Sequence, residues 1–550
     1  MADLTMGRRT FVKGTAAASA LAALAGCTKD TATATATQDG GTVSYYINNP
    51  DCIDPFNAQE DQGMKVTANL FDSLTVYDYE AGEIKPCAAE SWEANEDATE
   101  FTFHLVEGAT FHNGEKVTAE SFQRSWNRMV DPNTNPSSPS VISYHIAMVE
   151  GYNELMEGSA TEMSGLSCPD DYTFVVKLSE AYADFPYVCS HPALGPVPAA
   201  ALEDFDTYYL APIGNGPFQM DGTWQDGQYI NLKRYEDYYG TPAKVAAINF
   251  NIQKDVETAY KEFQAGTIDV AEVPNAQMET ALSTYGESKD GYTVTPGNQV
   301  LTGAEPSTYY IVLNVQDEVM KDVNLRKALS LAINRQAICD TVFLGTREPA
   351  GNIIPPGIDG YVENAWTYAH YDKDQAVEIL DQYYPADASG NRGINVTLSY
   401  NLDGDHKAIM ELVAADFTAV GINVTSDTKE WAALLDDYSA GNYQMGRLGW
   451  IADYPIMDNF LYPLFFTGNG DNRSQYSNAE VDAALEAART TVDDDERRQH
   501  LQEVNVMISE DMPVIPVMYY KHTTIGSSRL KSFYLDPAKI PSLDTTELAE

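Results

Sequence analysis

The segment at residues 394–449 constrains this chain more than any other. Short apolar runs at 394–400, 422–425 and 443–449 read as strands. Between the first two lie Ile409, Leu412, Val413, Phe417 and Val420 at helical spacing, closed by Gly421. Between the last two lie Trp431, Leu434, Leu435 and Tyr438, closed near Gly441. Such a βαβαβ order requires parallel strands joined by helical crossovers. In an open α/β sheet a ligand sits outside the carboxyl ends of the strands. The residues at that end are Trp450-Ile451-Ala452-Asp453-Tyr454-Pro455, so a cleft is expected there.

A second α/β unit precedes it. Residues 248–252 and 268–273 read as strands around a helix bearing Val256, Ala259, Tyr260 and Phe263, and a further strand at 309–315 leads to a helix with Leu325, Ala328, Leu329, Ala332 and Ile333. Residues 57–200 differ. Phe101, Phe103 and Leu105 alternate with polar residues, as do Phe174, Val176 and Leu178. Asn113-Gly114 signals a hairpin turn, and Thr118 can cap a helix presenting Phe122, Trp126, Met129 and Val130 on one face. A mixed sheet with few helices is expected. At 550 residues the chain is several times a ~150-residue domain. The expected fold is α/β and two-lobed: lobe I from 42–56, 201–311 and 514–550, an inserted subdomain at 57–200, and lobe II at 312–513. Hinge strands are expected near 310–315 and 515–520, the second run returning the chain to lobe I.

The N-terminus carries an address. Arg8-Arg9 precedes a run of small apolar residues at 16–25, the pattern of a twin-arginine export signal, and Leu24-Ala25-Gly26-Cys27 resembles a lipobox. Residues 1–26 are expected to be removed and Cys27 lipidated. The polar, low-complexity stretch at 27–41 is expected to be a flexible tether. The other cysteines are Cys52, Cys87, Cys168, Cys189 and Cys339, an odd set that cannot pair completely. Buried thiols are preferred over a Cys168–Cys189 pair.

Eighty-one acids against 34 bases give a formal charge of -47, which repels phosphate backbones and excludes a nucleic-acid partner. No apolar run approaches the ~20 residues of a spanning helix. The eight histidines form no H-E-x-x-H, and there is no C-x-x-C, nucleophile elbow or phosphate loop. Pro217 breaks the dinucleotide fingerprint hinted at by Gly214-Asn215-Gly216. Asp403-Gly404-Asp405 lacks the rest of a calcium loop. An enzyme, a metal site and a cofactor are therefore not expected.

Six strings, in order, resemble family 5 extracellular solute-binding proteins: NLFDSLT at 69–75, AESW at 89–92, FTFHLVEGATFHNGEKVTAESF at 101–122, NGPF at 215–218, NLRKALSLAINR at 324–335 and GWIADYPIMDNF at 449–460. The likeness spans about 43–536. It implies a two-lobed receptor that closes on its ligand and delivers it to an ABC permease driven by a separate ATPase. It also implies a monomer held by its lipid on the outer face of the cytoplasmic membrane, with peptides as cargo. In peptide-binding members the acid of the G-W-x-A-D motif pairs with the ligand's α-ammonium, and Asp453 matches it. An ammonium buried on closure without a partner would be prohibitive. Gly449 and Ala452 would offer backbone groups to an extended peptide. Trp450 either flanks the ligand or packs in the core. Arg447 either receives the ligand carboxylate or closes an internal salt bridge. His406 matches a ligand-facing histidine of some members, with a surface role as the alternative, and Asn49 is placed on the lobe I side of the cleft. Ile456-Met457 depart from the Asp-Pro common after Tyr-Pro, and Cys87 stands where an aliphatic residue is usual. The same fold with an oligosaccharide or nickel chelate as cargo is the alternative, and an envelope hydrolase a remote one.

Overall fold

A computed structural model describes residues 40–549, apart from 59, 136–139, 403–404 and the side chain of 432. Arg8, Arg9, Cys27 and the tether up to residue 39 lie outside the described residues. Among those described, no helix is long and apolar enough to cross a membrane.

Two six-stranded sheets organise the two lobes. The first runs Thr524–Gly526, Val270–Glu272, Thr42–Ile47, Ala247–Ile252, Tyr229–Arg234, Phe218–Met220. Its central pair, Thr42–Ile47 and Ala247–Ile252, is parallel in register from Thr42↔Ala247 to Ile47↔Ile252. The Val256–Gln264 helix makes the crossover to Val270–Glu272 and buries Ala259, Tyr260 and Phe263. The second sheet runs Arg347–Pro349, Val514–Lys521, Ala304–Leu313, Met445–Ile451, Asn395–Tyr400, Asn423–Thr428. Its parallel end is the βαβαβ unit read from the sequence, with helices His406–Thr418 and Trp431–Ala440 as crossovers. Gly421 and Gly441 close them at φ 88° and 70°, where a side chain would be strained.

The inserted subdomain has its own core around a four-stranded antiparallel sheet, ordered Ala89–Ala94, Glu100–Leu105, Thr173–Lys177, Leu166–Asp170. Phe101, Phe103, Leu105, Phe174 and Val176 bury on one face, against Phe122, Trp126 and Met129 of the Ala119–Val130 helix. It is tied to the first lobe by the buried Asp54–Arg128 pair, at 2.8 and 2.6 Å, with Arg128 over the rings of Phe56, Phe205 and Tyr208. The NGPF string is a brace: Asn215 exchanges hydrogen bonds with the Asp72 backbone at 3.0 and 3.1 Å, where the chain enters the subdomain.

One expectation changes. Val514–Lys521 does not return the chain to the first lobe; it pairs antiparallel with Ala304–Leu313 inside the second sheet. The return begins at Thr524–Gly526, beside Val270–Glu272. The reason is burial: the run is covered on both faces, as a central strand must be. Pro516, which cannot donate to a ladder, is accommodated where the register shifts between Tyr309 and Tyr310. The carbonyl of Pro516 accepts from the buried Arg335 at 2.7 Å. Cys52, Cys87, Cys168, Cys189 and Cys339 are free thiols, with Cys52, Cys189 and Cys339 buried.

Two glycines of one strand separate folding from access. A Cβ on Gly446 would lie 2.0 Å from the Tyr438 hydroxyl and 2.9 Å from the Ser399 carbonyl oxygen, whereas one on Gly449 meets nothing nearer than 3.5 Å. Gly446→Ala should therefore cost about 1–3 kcal/mol of stability, the usual penalty of overpacking. Gly449→Ala should fold as the parent does, and denaturant unfolding of both variants checks the contrast.

Candidate binding site

The Met445–Ile451 strand is paired on one side along its whole length, from Leu313↔Met445 to Ser307↔Ile451. On the other side it pairs only at Leu398↔Met445 and Ser399↔Gly446. There the two strands part, and Tyr438 stands in the fork. Its hydroxyl lies 3.1 Å from both the Ser399 and the Arg447 carbonyl oxygens. Backbone groups alternate direction along a strand, so Gly449 and Ile451 present theirs to the same side as Arg447. The neighbouring set points the other way, as the Ala452 N–H shows by donating to the Pro306 carbonyl at 2.9 Å. Gly449 and Ile451 therefore form a sheet edge that no strand occupies.

Side chains divide in the same alternation. Leu448, Trp450 and Ala452 pack against the lobe's core, and the Trp450 Nε1 donates to Asn459 at 3.1 Å. Of the two roles open to Trp450, this is the packing one. Arg447, Gly449 and Ile451 share the opposite face, and Ile451 is 74 % exposed. Arg447 donates from Nε to Asn401 at 2.7 Å, and its guanidinium lies 4.1 Å from the centroid of Trp431. A neutral amide and an indole face are thus two of the groups that hold it. His406 opens the His406–Thr418 helix, half-buried, with its ring stacked on Tyr309 and Nδ1 3.3 Å from the Tyr309 hydroxyl. Tyr309 is the cross-strand partner of Gly449, so His406 joins this neighbourhood through it. Asn49 sits apart from it. Asn49 pins the loop of Asp226 and Gly227 in the first lobe, at 2.9 and 2.8 Å.

Asp453 lies just past the strand's carboxyl end, about 20 Å from Arg447 along an extended chain. One residue, Asn459, sets its orientation. Asn459 is 3 % exposed and sits near the start of the Asp458–Phe465 helix. Its Oδ1 accepts from the Asp453 N–H at 3.1 Å, and its Nδ2 donates to Asp453 Oδ2 at 3.2 Å. The other carboxylate oxygen accepts from the Tyr144 hydroxyl of the inserted subdomain at 3.1 Å. Behind Tyr144 the rings of His145 and His191 stack at 4.5 Å, and burial lowers both histidines to about 3, so both are neutral. Burial raises the Asp453 carboxyl above the usual carboxylate range, against the opposing effects of Asn459, His191 and Tyr144. Among the described residues no ion pair involves Asp453. A cavity of about 310 Å³ lies elsewhere, between the Met278–Tyr285 helix and Leu344–Thr346. Among the described residues, this site is a strand edge without a neighbouring strand that ends near a carboxylate without an ion-pair partner. Among the described residues no cluster of metal-ligating side chains forms.

Of the residues singled out from the sequence, Arg447, Gly449 and Asp453 lie along this edge and its end, whereas Ala452 does not offer its backbone N–H to a ligand as expected, because that group bonds Pro306 and its side chain packs on the core. Tyr144, Tyr309, Asn401, Trp431, Tyr438 and Asn459, their neighbours here, were not singled out as site residues. Asn459 lay inside a quoted string and could have been suspected. Tyr144 follows no motif, and its partner is 309 positions away.

Two lobes and an inserted subdomain, with this strand edge as the candidate site, are the architecture of a solute-binding receptor. Residues 83–472 match the family described as bacterial extracellular solute-binding proteins, family 5. The periplasmic oligopeptide-binding protein OppA of Salmonella typhimurium is 30 % identical over 481 residues, 85 % of each chain. The dipeptide-binding protein DppE of Bacillus subtilis is 26 % identical over 505 residues, covering 90 % of this chain and 89 % of that one. Among solved structures, the murein tripeptide-binding protein MppA in its unliganded open form shares the fold, with a TM-score of 0.80 at 23 % identity over 93 % of this chain and 98 % of that one. The chain belongs to family 5 of the bacterial extracellular solute-binding proteins.

A carboxyl whose titration is raised by burial destabilises the folded state when it is charged, above its folded pKa, and ceases to do so once protonated. Asp453→Asn should therefore raise the melting temperature of the ligand-free protein at neutral pH, and the gain should shrink on acidification through that titration. Thermal melts of both proteins across pH check the sign.

Proposed function

We propose that this chain is the extracytoplasmic receptor of an ABC importer, which captures peptides between its lobes and hands them to a membrane permease served by a separate ATPase. The observation that carries this reading is Asp453: a half-buried carboxylate, with no ion-pair partner among the described residues, just past the end of a strand edge that parts from its neighbour. A peptide supplies both missing partners. Its α-ammonium neutralises Asp453, and its main chain completes the ladder at Gly449 and Ile451, the mode known as strand addition. Readout through the backbone gives affinity without demanding one side-chain sequence. A neutral sugar would leave the Asp453 charge unpartnered, which disfavours oligosaccharide cargo. The relatives OppA and DppE carry peptides in their names, which favours the same cargo here.

The reading extends to the rest of the molecule. Arg447, steadied on Trp431 and Asn401, is suited to a ligand carboxylate. The lobes are 42–56 with 201–303 and 522–549 for the first, and 304–521 for the second, with 57–200 inserted in the first; the crossings at 303–304 and 521–524 are the hinge. The protein acts as a monomer, exported by the twin-arginine route on Arg8-Arg9 and held through a lipid on Cys27 at the outer face of the cytoplasmic membrane.

Asp453→Ala should weaken binding of a free tripeptide by about 2–5 kcal/mol, the usual loss on removing one partner of a buried charge pair. N-acetylation of the peptide should cost the parent protein a comparable amount. Titration calorimetry reads both, and unchanged affinity in either case would reject the ammonium assignment.

A further inference from the structure

Arg489 lies in the Ala479–Thr490 helix, at a seam between the second lobe and the inserted subdomain. Its Nε and Nη2 donate to the two carboxylate oxygens of Asp458 at 3.2 and 3.1 Å. The guanidinium carbon sits 3.4 Å from the ring centroid of Tyr462 and 4.5 Å from that of Tyr182. Nη1 reaches Glu180 at 3.5 Å, and the Arg489 carbonyl accepts from the Ala183 N–H at 2.8 Å. Glu180, Tyr182 and Ala183 belong to the subdomain. Asp458 and Tyr462 belong to the helix that carries Asn459. In the next helix, Asp494–Asp511, Arg497 reinforces the seam through the buried Asp184.

The geometry points to Arg489 as the positioning residue for the peptide N-terminus. It holds the start of the Asp458–Phe465 helix, hence the Asn459 amide, hence the direction of the Asp453 carboxylate. It also ties that helix to the subdomain that supplies Tyr144. This rests on the reading of Asp453 as the ammonium acceptor. Asp458 is 1 % exposed, so it cannot turn to solvent if the guanidinium is removed. The fork of two parallel donors fixes an angle as well as a distance, which a lysine ammonium cannot reproduce. A residue that merely braced the fold would change stability and leave ligand selection as it was. A residue that aims Asp453 changes the preference for a free amino terminus.

The test measures, on the full-length mature protein, the affinity ratio between a free tripeptide and its N-acetylated form. Arg489→Met should lower that ratio by about tenfold or more, corresponding to ~1.4 kcal/mol, and Arg489→Lys should recover part of it. Asp458→Asn, which keeps volume and the Tyr462 stacking, should act in the same direction and decides the matter if Arg489→Met does not fold. Arg498→Gln breaks the Arg498–Asp359 pair of the following helix and should leave the ratio unchanged. If Arg489→Met and Asp458→Asn keep the parental ratio while Asp453→Asn abolishes it, the positioning role is wrong and the ammonium site stands. If Asp453→Asn also keeps the ratio, the ammonium reading fails and takes this inference with it.

Discussion

The parting of two parallel strands governs the rest of the site. Asn395–Tyr400 and Met445–Ile451 begin as neighbours and separate after Ser399 and Gly446, because the Tyr438 hydroxyl occupies the space where the next ladder bonds would form. Gly446 makes this possible by having no side chain. The result is half a β-ladder: an inner edge bonded to Ala304–Leu313 and an outer edge that pairs with no strand beyond Gly446 among the described residues. An unpaired edge inside a protein is costly unless water or a partner reaches it. In the proposed function the ligand is that partner.

Electrostatics supplies polarity along the edge. At one end Arg447 donates to the Asn401 amide and lies over the Trp431 indole. At the other, Asp453 is surrounded by donors without charge: a tyrosine hydroxyl, an asparagine amide and two neutral histidines behind them. Hydrogen bonds orient the carboxylate while leaving its charge to be matched from outside. In a chain with 81 acids and 34 bases, few cations are at hand to neutralise any one carboxylate.

The architecture was legible because periodicity reports burial. Alternation in 101–105 and helical spacing in 409–420 each yielded the element expected, and Gly421 and Gly441 ended helices where glycine alone fits well. The place of Asp453 just past a strand's carboxyl end was legible because the apolar run stops shortly before it. The return strand misled for a physical reason: Val514–Lys521 is buried from Val514 to Tyr519, which marks a central strand but not which sheet it completes. Tyr144 and Asn459 act across long sequence separations or through an amide with no pattern of its own, and spacing cannot reveal them. Asn49, by contrast, matched a resemblance, and in the fold it serves the turn at Asp226–Gly227.

A crystal structure of the mature protein with a bound tri- to pentapeptide tests the central claim most directly. The account predicts the α-ammonium within hydrogen-bond reach of Asp453, beside the Tyr144 hydroxyl, and the peptide main chain bonded to Gly449 and Ile451 along the open edge. A peptide running the other way, or lying against another strand with Asp453 still facing Tyr144 and Asn459 alone, would contradict it.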